Sequence, residues 1–352
     1  MPFYYRLHAN VEADRRTAEG LLRLKDALDG KDGVPPRGVE ENLLLATWNI
    51  REFDSTKYGV RKQEPLLYIA EIVNRFDLVA VQEVRDDLTA LNRLVEYLGG
   101  WWKYVFTDVT EGTRGNRERM AFLYDSRKIS FGGLAGEVVL PPVRVEGKVY
   151  RPADQLARTP FIVGFRSGWF RFTICTTHIY YGTATAEDPD RVTEIELLAQ
   201  FLADRASERF AWAPNMILLG DFNIFQPEDK TLQAITKAGF IVPKAIQDLP
   251  SNVPQNKHYD QIAFVSPDIA ANLQNYQAGV FNYYQHVYRP EDRDAHADDM
   301  GAAYAAKTDS RQKSSYYSTW KTYQMSDHLP MWIELKTDFS RPYLQEKAAP
   351  PG

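Results

Sequence analysis

Six short stretches of the sequence place polar, chemistry-capable side chains where an apolar run of strand length stops. They are Trp48-Asn49, Gln82-Glu83, His178, Gly220-Asp221-Phe222-Asn223, Tyr259-Asp260-Gln261-Ile262 and Ser326-Asp327-His328. Each alone has a structural reading. Asn tolerates turn geometry, a Glu can mark a strand meeting water, Gly-Asp makes turns, and a single His is often a hydrogen-bonded core residue. Together they are the types that one reaction needs, metal-assisted hydrolysis of a phosphate ester. A hard cation such as Mg2+ takes oxygen ligands, one or two carboxylates with the remainder from water and substrate phosphate. Glu83 suits the direct ligand, with Asn49 and Asp327 completing the shell or holding its water. Asp221 suits the base that activates or orients the attacking water, and Asn223 the group that holds the geometry of attack. His178 and His328 can donate to charge growing on the phosphoryl oxygens. Asp260, behind His328, would set that ring's tautomer and favour its charged form. No Cys2His2-type spacing occurs, so a structural zinc site is not indicated.

The elements that must position these groups alternate in kind. Strand-like runs fall at 43–48, 77–82, 120–124, 161–165, 170–177, 216–219, 261–265 and 331–335, and helical periodicity at 9–28, 65–75, 88–98 and 190–209. In the middle and at the end, strand follows strand without a helix. That pattern predicts two mixed sheets packed together with helices outside, unlike a fully parallel doubly wound sheet. Sites collect at strand ends because loops converge there while the strands hold them rigid. We read residues 1–41 as an N-terminal helical leader with a Pro/Gly linker, 42–337 as one catalytic domain and 338–352 as a C-terminal tail. Residues 283–323 look like an insertion: they hold seven of the 20 tyrosines and show no clear periodicity. A long loop near the site is expected there, either offering aromatic surfaces for stacking bases or forming a packed lid.

Composition bounds the function. The chain has 352 residues, 44% hydrophobic and 25% charged, enough for a sizeable core. Lys and Arg total 42 against 47 Asp and Glu, a net charge of −5. That disfavours blanket charge-driven coating of nucleic acid and leaves a local basic groove open. No apolar stretch approaches the roughly 18 residues of a membrane span. The N-terminus lacks a signal-peptide layout, and a single cysteine, Cys175, allows no intrachain disulfide. A cytoplasmic protein with no obligatory protein partner is expected.

In identity and order these motifs resemble the endonuclease/exonuclease/phosphatase superfamily with the deoxyribonuclease-I-like fold, from about Leu43 to Leu335. The resemblance implies an α/β (α+β) four-layered α/β/β/α sandwich and Mg2+- or Mn2+-dependent hydrolysis of phosphodiesters or phosphomonoesters. It implies Glu83 as metal ligand, Asp221 with Asn223 as the water-activating pair, and Asp260 with His328 as a hydrogen-bonded dyad. Arg119 and Arg158 resemble positions where family members contact phosphate, though each could equally be a structural ion pair. His178 leans away from apurinic-site endonucleases, and Tyr259-Asp260-Gln261 away from inositol-polyphosphate 5-phosphatases. The substrate expected is nucleic acid, DNA favoured, cut by an endonuclease. The alternative is a phosphatase or phosphodiesterase on a small-molecule or lipid phosphate ester, which the acidic net charge suits.

Overall fold

The computed structural model describes the chain except residues 39–40, 55–56, 58–59, 112–115, 145–149, 152, 210, 267–272, 274–275 and 350–352. Its elements begin with helix α1 (Glu12–Asp29), strand β1 (Asn42–Phe53), α2 (Gln63–Asn74), β2 (Leu78–Val84), α3 (Thr89–Leu98), β3 (Trp102–Phe106), β4 (Arg119–Asp125) and β5 (Ser130–Glu137). The short pair β6 (Val143–Arg144) and β7 (Tyr150–Arg151) follows, then β8 (Phe161–Ser167) and β9 (Phe170–His178). Next come α4 (Pro189–Ser207), β10 (Met216–Asp221), α5 (Lys230–Lys237), α6 (Lys244–Gln247), β11 (Asp260–Val265), β12 (Ala278–Val280) and β13 (Met331–Lys336).

One sheet has the order β12-β13-β1-β2-β4-β3 and the other β11-β10-β9-β8-β5. In each, one pair of strands runs parallel, β1 with β2 and β9 with β10, and the other pairings are antiparallel. A parallel pair needs a crossover, and α2 and α4 supply the two. Both parallel pairs end at the same side of the sandwich, which is where the polar strand ends meet. Gly220 lets β10 approach β9 there: its φ is 135°, and a Cβ would sit 2.1 Å from the Thr177 carbonyl oxygen.

Alternation along the strands sorts the core into two bodies. Leu44, Ala46, Trp48 and Ile50 of β1 face α1, α2 and α3 in one cluster. Leu43 and Leu45 face the second sheet in the other, which also gathers Ile195, Leu198 and Leu202 of α4. The result is the four-layered α/β/β/α sandwich expected from the strand pattern. Gln82 crosses between the sheets, its Nε2 donating to Thr176 Oγ1 at 2.7 Å.

The first helix belongs to this core. Leu21, Leu24 and Leu28 are buried, and Gly20 allows contact with α2, since a Cβ there would meet the Tyr68 hydroxyl at 2.1 Å. Arg16 bridges Glu64 of α2 at 2.7 Å and Asp299 at 2.9 Å, tying three segments together. With Lys62 also on Asp299, the cluster of Glu64, His296 and Asp299 is a closed ion-pair network.

Residues 283–323 differ from the loop expected. They form 3-10 turns and two helices, Ala297–Ala305 and Ser310–Gln324. Tyr283, Tyr284, Tyr288, Tyr304, Tyr317 and Trp320 are buried in the cluster on the outer face of the first sheet. The aromatic side chains that could have stacked on bases are spent on packing. Periodicity was hidden because large aromatics, not aliphatics, make the buried stripe.

Leu24 is fully buried, and deleting such a side chain costs about 2–5 kcal/mol. Leu24→Ala should lower the free energy of unfolding by that amount in urea titration. A loss below about 0.5 kcal/mol, the scale of surface changes, would mean that α1 is not part of the cooperative unit.

Candidate active site

The register of three neighbouring strands builds half of the site. His178 on β9 pairs with Asp221 on β10, and Asp221 pairs with Asp260 on β11, so the three side chains point to the same face. The first sheet supplies the other half, with Asn49 on β1 paired to Gln82 on β2, next to Glu83. Asn49 joins the halves: its Nδ2 donates to Glu83 Oε1 and to Asp221 Oδ2, each at 3.0 Å. The Glu83 backbone is held at φ 62°, in the left-handed region, and Asn223 at φ 54°. Such strain in residues other than glycine concentrates at functional sites. The backbone amide of Glu52 donates to Glu83 Oε2 at 2.7 Å and fixes the carboxylate.

Two histidines face Asp221, each backed by its own carboxylate. His328 Nδ1 lies 2.8 Å from Asp260 Oδ2, and His178 Nδ1 lies 2.8 Å from Glu118 Oε2. Their Nε2 atoms reach Asp221 Oδ2 at 3.7 and 3.5 Å, ion-pair rather than hydrogen-bond distances. Burial opposes the charged form of both rings. For His178, Arg158 adds to that opposition, yet Glu118 and Asp221 win and raise its pKa. For His328, Asp260 and Asp221 hold it well above the ordinary histidine range. Burial also works against ionisation of Glu118, but His178 and Arg158 bring it down to about 2. Glu83 goes the other way, raised by burial and then by Glu118 beside it.

The short segment between the helix Ser310–Gln324 and β13 leads back to the site through Ser326, which fixes the histidine end. Ser326 Oγ donates to the Asn49 carbonyl at 2.6 Å and accepts from the His328 amide at 3.0 Å. The Trp48 indole and the Tyr283 hydroxyl both donate to the His328 carbonyl at 3.0 Å. Tyr259 stacks on the His328 ring, centroids 5.4 Å apart. Asn223 turns its Nδ2 to the Ile179 carbonyl at 2.8 Å, while its backbone amide donates to Asp221 Oδ1 at 2.9 Å. It thus shapes the Asp221 turn.

The expected site residues divide accordingly. Asn49, Glu83, His178, Asp221, Asn223, Asp260 and His328 are brought together. Asp327 lies on the rim, 41% exposed, with Arg51 Nη1 at 3.4 Å. Arg158 is inside, its Nε 2.8 Å from Glu118 Oε2 and its buried Nη1 without a hydrogen-bond partner. Arg119 stands one step back, donating to the Arg85 carbonyl at 3.0 Å, with Asp108 at 3.9 Å. Sequence reasoning missed Glu118 and Arg85, which pair at 3.8 Å. Glu118 immediately precedes β4, the same polar strand-end signal that marked the others. Arg85 lies just past the end of β2, two residues after Glu83.

A divalent cation fits this donor set. The ligating atoms of Glu83, Glu118 and His178 lie within 4.8 Å of one another, and the buried Asn49 Oδ1 has no hydrogen-bond partner. Two carboxylates and an orphaned amide oxygen are the hard oxygen donors that Mg2+ takes.

Comparison with known proteins agrees with this geometry. The Endonuclease/Exonuclease/phosphatase family pattern matches residues 46–239, so the chain belongs to that family of phosphoester hydrolases. A deoxyribonuclease of Thioalkalivibrio sp. is 33% identical over 198 residues, 54% of this chain and 48% of that protein. Deoxyribonuclease-1 of Bos taurus is 31% identical over 192 residues, 52% of this chain and 61% of that protein. The chain thus spans about half to three-fifths of the length of these relatives. Among solved structures, a mannosyl-6-phosphatase of Bacteroides thetaiotaomicron superposes with a TM-score of 0.50 at 16% identity, covering 83% of this chain and 99% of that one. The human Nocturnin catalytic domain does so at 0.50 and 13% identity, covering 84% and 94%. These two show the fold.

The Asp260–His328 pair makes a pH prediction. Because the folded-state pKa of His328 is raised, its stabilising contribution is complete below the unfolded value of about 6.5. That contribution is lost as pH rises through the folded value. Titration of the His328 imidazole by NMR should therefore show a midpoint above 6.5 in the wild type. In Asp260→Asn, where burial remains and the carboxylate is gone, the midpoint should fall. An unchanged midpoint would refute the pairing.

Proposed function

We propose that this protein is a divalent-metal-dependent endonuclease that hydrolyses phosphodiester bonds in DNA. The observation that carries the reading is the convergence of two carboxylate-backed histidines on one aspartate, beside Glu83 and the unpartnered Nη1 of Arg158. A phosphate held there meets Arg158 and two imidazolium donors. Asp221 Oδ2, which accepts from the Asn49 amide and faces both rings, is the acceptor for the proton of the attacking water. His178 and His328 stabilise charge on the phosphoryl oxygens, and either Nε2 proton can pass to the leaving oxygen. Glu83 and the Asn49 Oδ1 would hold the cation, with Glu118 beside them, and Asp327 would hold its water from the rim. Mg2+ or Mn2+ supplies Lewis-acid stabilisation of the phosphate when bound.

Three features favour DNA over a small ester. The relatives with 31% and 33% identity are deoxyribonucleases. The buried aromatic residues of 283–323 pack on the outer face of the first sheet, and the segment reaches the rim at Thr322 and Tyr323, which accept from Arg51. Arg51, Arg85 and Arg119 lie on or just behind the rim and Arg158 lies inside, four guanidinium groups that can meet phosphates although each also has a carboxylate within 4.0 Å. We take residues 42–337 as the catalytic domain, since the groups of the site fall between Asn49 and His328. We place its work in the cytoplasm on its single, buried cysteine, which permits no intrachain disulfide.

Purified protein with Mg2+ or Mn2+ should convert supercoiled plasmid to the nicked form, and EDTA should abolish this. Glu83→Gln should slow nicking about a thousandfold, the several kcal/mol that a Lewis-acid site is worth. Intact plasmid and intact single-stranded DNA, together with turnover of a phosphomonoester or phospholipid, would overturn the reading in favour of the small-ester alternative.

A further inference from the structure

Helix α4 carries two charged side chains into the interior that neither the fold nor the chemistry accounts for. Arg191 is fully buried and Glu194 is 8% exposed. They stand at i and i+3, on one face of the helix. The helix itself is started locally, by Asp188 accepting from the Asp190 and Arg191 amides and by Pro189 in the first turn. Neither buried charge is needed for that. Burying a guanidinium is costly, and an apolar side chain of similar volume commonly stabilises a core more. These charges must do something that Leu or Met could not.

What they touch is backbone, and that backbone belongs to the active-site loops. Glu194 Oε1 accepts from the Ala157 amide at 2.8 Å, and Oε2 from the Tyr180 amide at 3.0 Å. Ala157 immediately precedes Arg158, and Tyr180 lies two residues after His178. The side chains of Arg158 and His178 meet again on the far side, both 2.8 Å from Glu118 Oε2. A closed ring results, running from Glu194 through Ala157, Arg158, Glu118, His178 and Tyr180 back to Glu194. Arg191 makes a second gathering point. Its Nη2 donates to the carbonyls of Tyr181 and, at 2.9 Å, Thr183, and its Nη1 reaches Thr185 at 3.2 Å and Asn223 at 3.1 Å. The loop that leaves His178 is thereby fastened to the turn that holds Asp221.

We propose that Arg191 and Glu194 are positioning residues, which hold the loops carrying Arg158, His178 and Asn223 at one fixed separation and so set where the phosphate sits. The proposal deepens the phosphodiesterase reading and rests on it. Neither side chain touches the reacting atoms. Their effect runs through backbone placement, to which a reaction of this kind is sensitive at the 1 Å scale. Glu194→Gln keeps the shape but replaces one acceptor oxygen with a donor amide facing a backbone N–H, so one of the two loops must let go. Arg191→Lys keeps the charge, but its single nitrogen cannot reach carbonyls spread over Tyr181 to Ala186 and Asn223 together.

The test is steady-state plasmid nicking in Mg2+ by the full chain. Glu194→Gln and Arg191→Lys should each lower kcat about 10- to 100-fold, the usual loss when a supporting hydrogen bond is removed. KM should stay near the wild-type value, because the lost alignment matters in the transition state. Glu196→Gln, on the exposed face of the same helix, should match the wild type. Wild-type kcat in Glu194→Gln would overturn the proposal, as would a loss matched by an equal fall in folded fraction. Hydrogen exchange on the wild-type protein gives a readout free of variants and of activity. The Ala157 and Tyr180 amides, though outside the strands, should exchange as slowly as those of β9. Exchange at loop rates would refute the clamp even if the wild-type enzyme nicks DNA. Slow exchange in a protein that leaves DNA intact would instead keep the clamp and fault the functional reading.

Discussion

Like charge held out of water is the constraint around which this molecule is organised. Glu83, Glu118, Asp221 and Asp260 converge at one end of the sandwich, three of them almost wholly buried and Glu83 close behind. Carboxylates in that position repel strongly and lose their hydration, so each needs a cationic or donor partner. His328 answers Asp260, His178 and Arg158 answer Glu118, and both imidazoles with the Asn49 amide answer Asp221. Glu83 has only neutral donors, the Asn49 and Glu52 amides, and its pKa is raised by burial and by Glu118. A divalent cation would remove that deficit, which is why the donor set reads as a metal site as well as a hydrolytic one.

The fold serves this arrangement directly. Two parallel strand pairs, one in each sheet, end side by side, and their crossover helices α2 and α4 lie on opposite outer faces. A fully antiparallel sandwich would bring hairpin turns to that end instead. The cross-sheet bond from Asn49 to Asp221 is short because β1 and β10 face each other across the inner layer. Backbone strain at Glu83 and Asn223 is the local cost of pointing both groups into one space.

Much of this was legible before any coordinates, and for a physical reason. Polar side chains at the ends of apolar strands conflict with their local context, so Asp221, Asp260 and His178 stand out in one dimension. The four layers followed from strand-on-strand stretches that alternate with helices. Glu118 was hidden because it stands between Arg117 and Arg119, where an acid reads as one member of an exposed charge cluster. Arg191 and Glu194 fall at helical spacing from Ile195, Leu198 and Leu202, within the apolar stripe of α4, but only the tertiary structure shows the loop backbone that each of them holds. The tyrosines of 283–323 left two readings open, and the packed one is what the structure has. Tyr is amphipathic, and nothing local separates a ring offered to a ligand from one whose hydroxyl finds a buried carbonyl, as Tyr283 and Tyr284 do on Ser326.

The central claim is that the two carboxylate-backed histidines act on one phosphate as a single unit through Asp221. A double-mutant cycle on kcat for plasmid nicking, with His178→Ala, His328→Ala and the pair, tests it most directly. Groups that act as a unit are strongly non-additive, so the double variant should be about as slow as the slower single variant. Losses that simply multiply would show two independent sites of action and contradict the account.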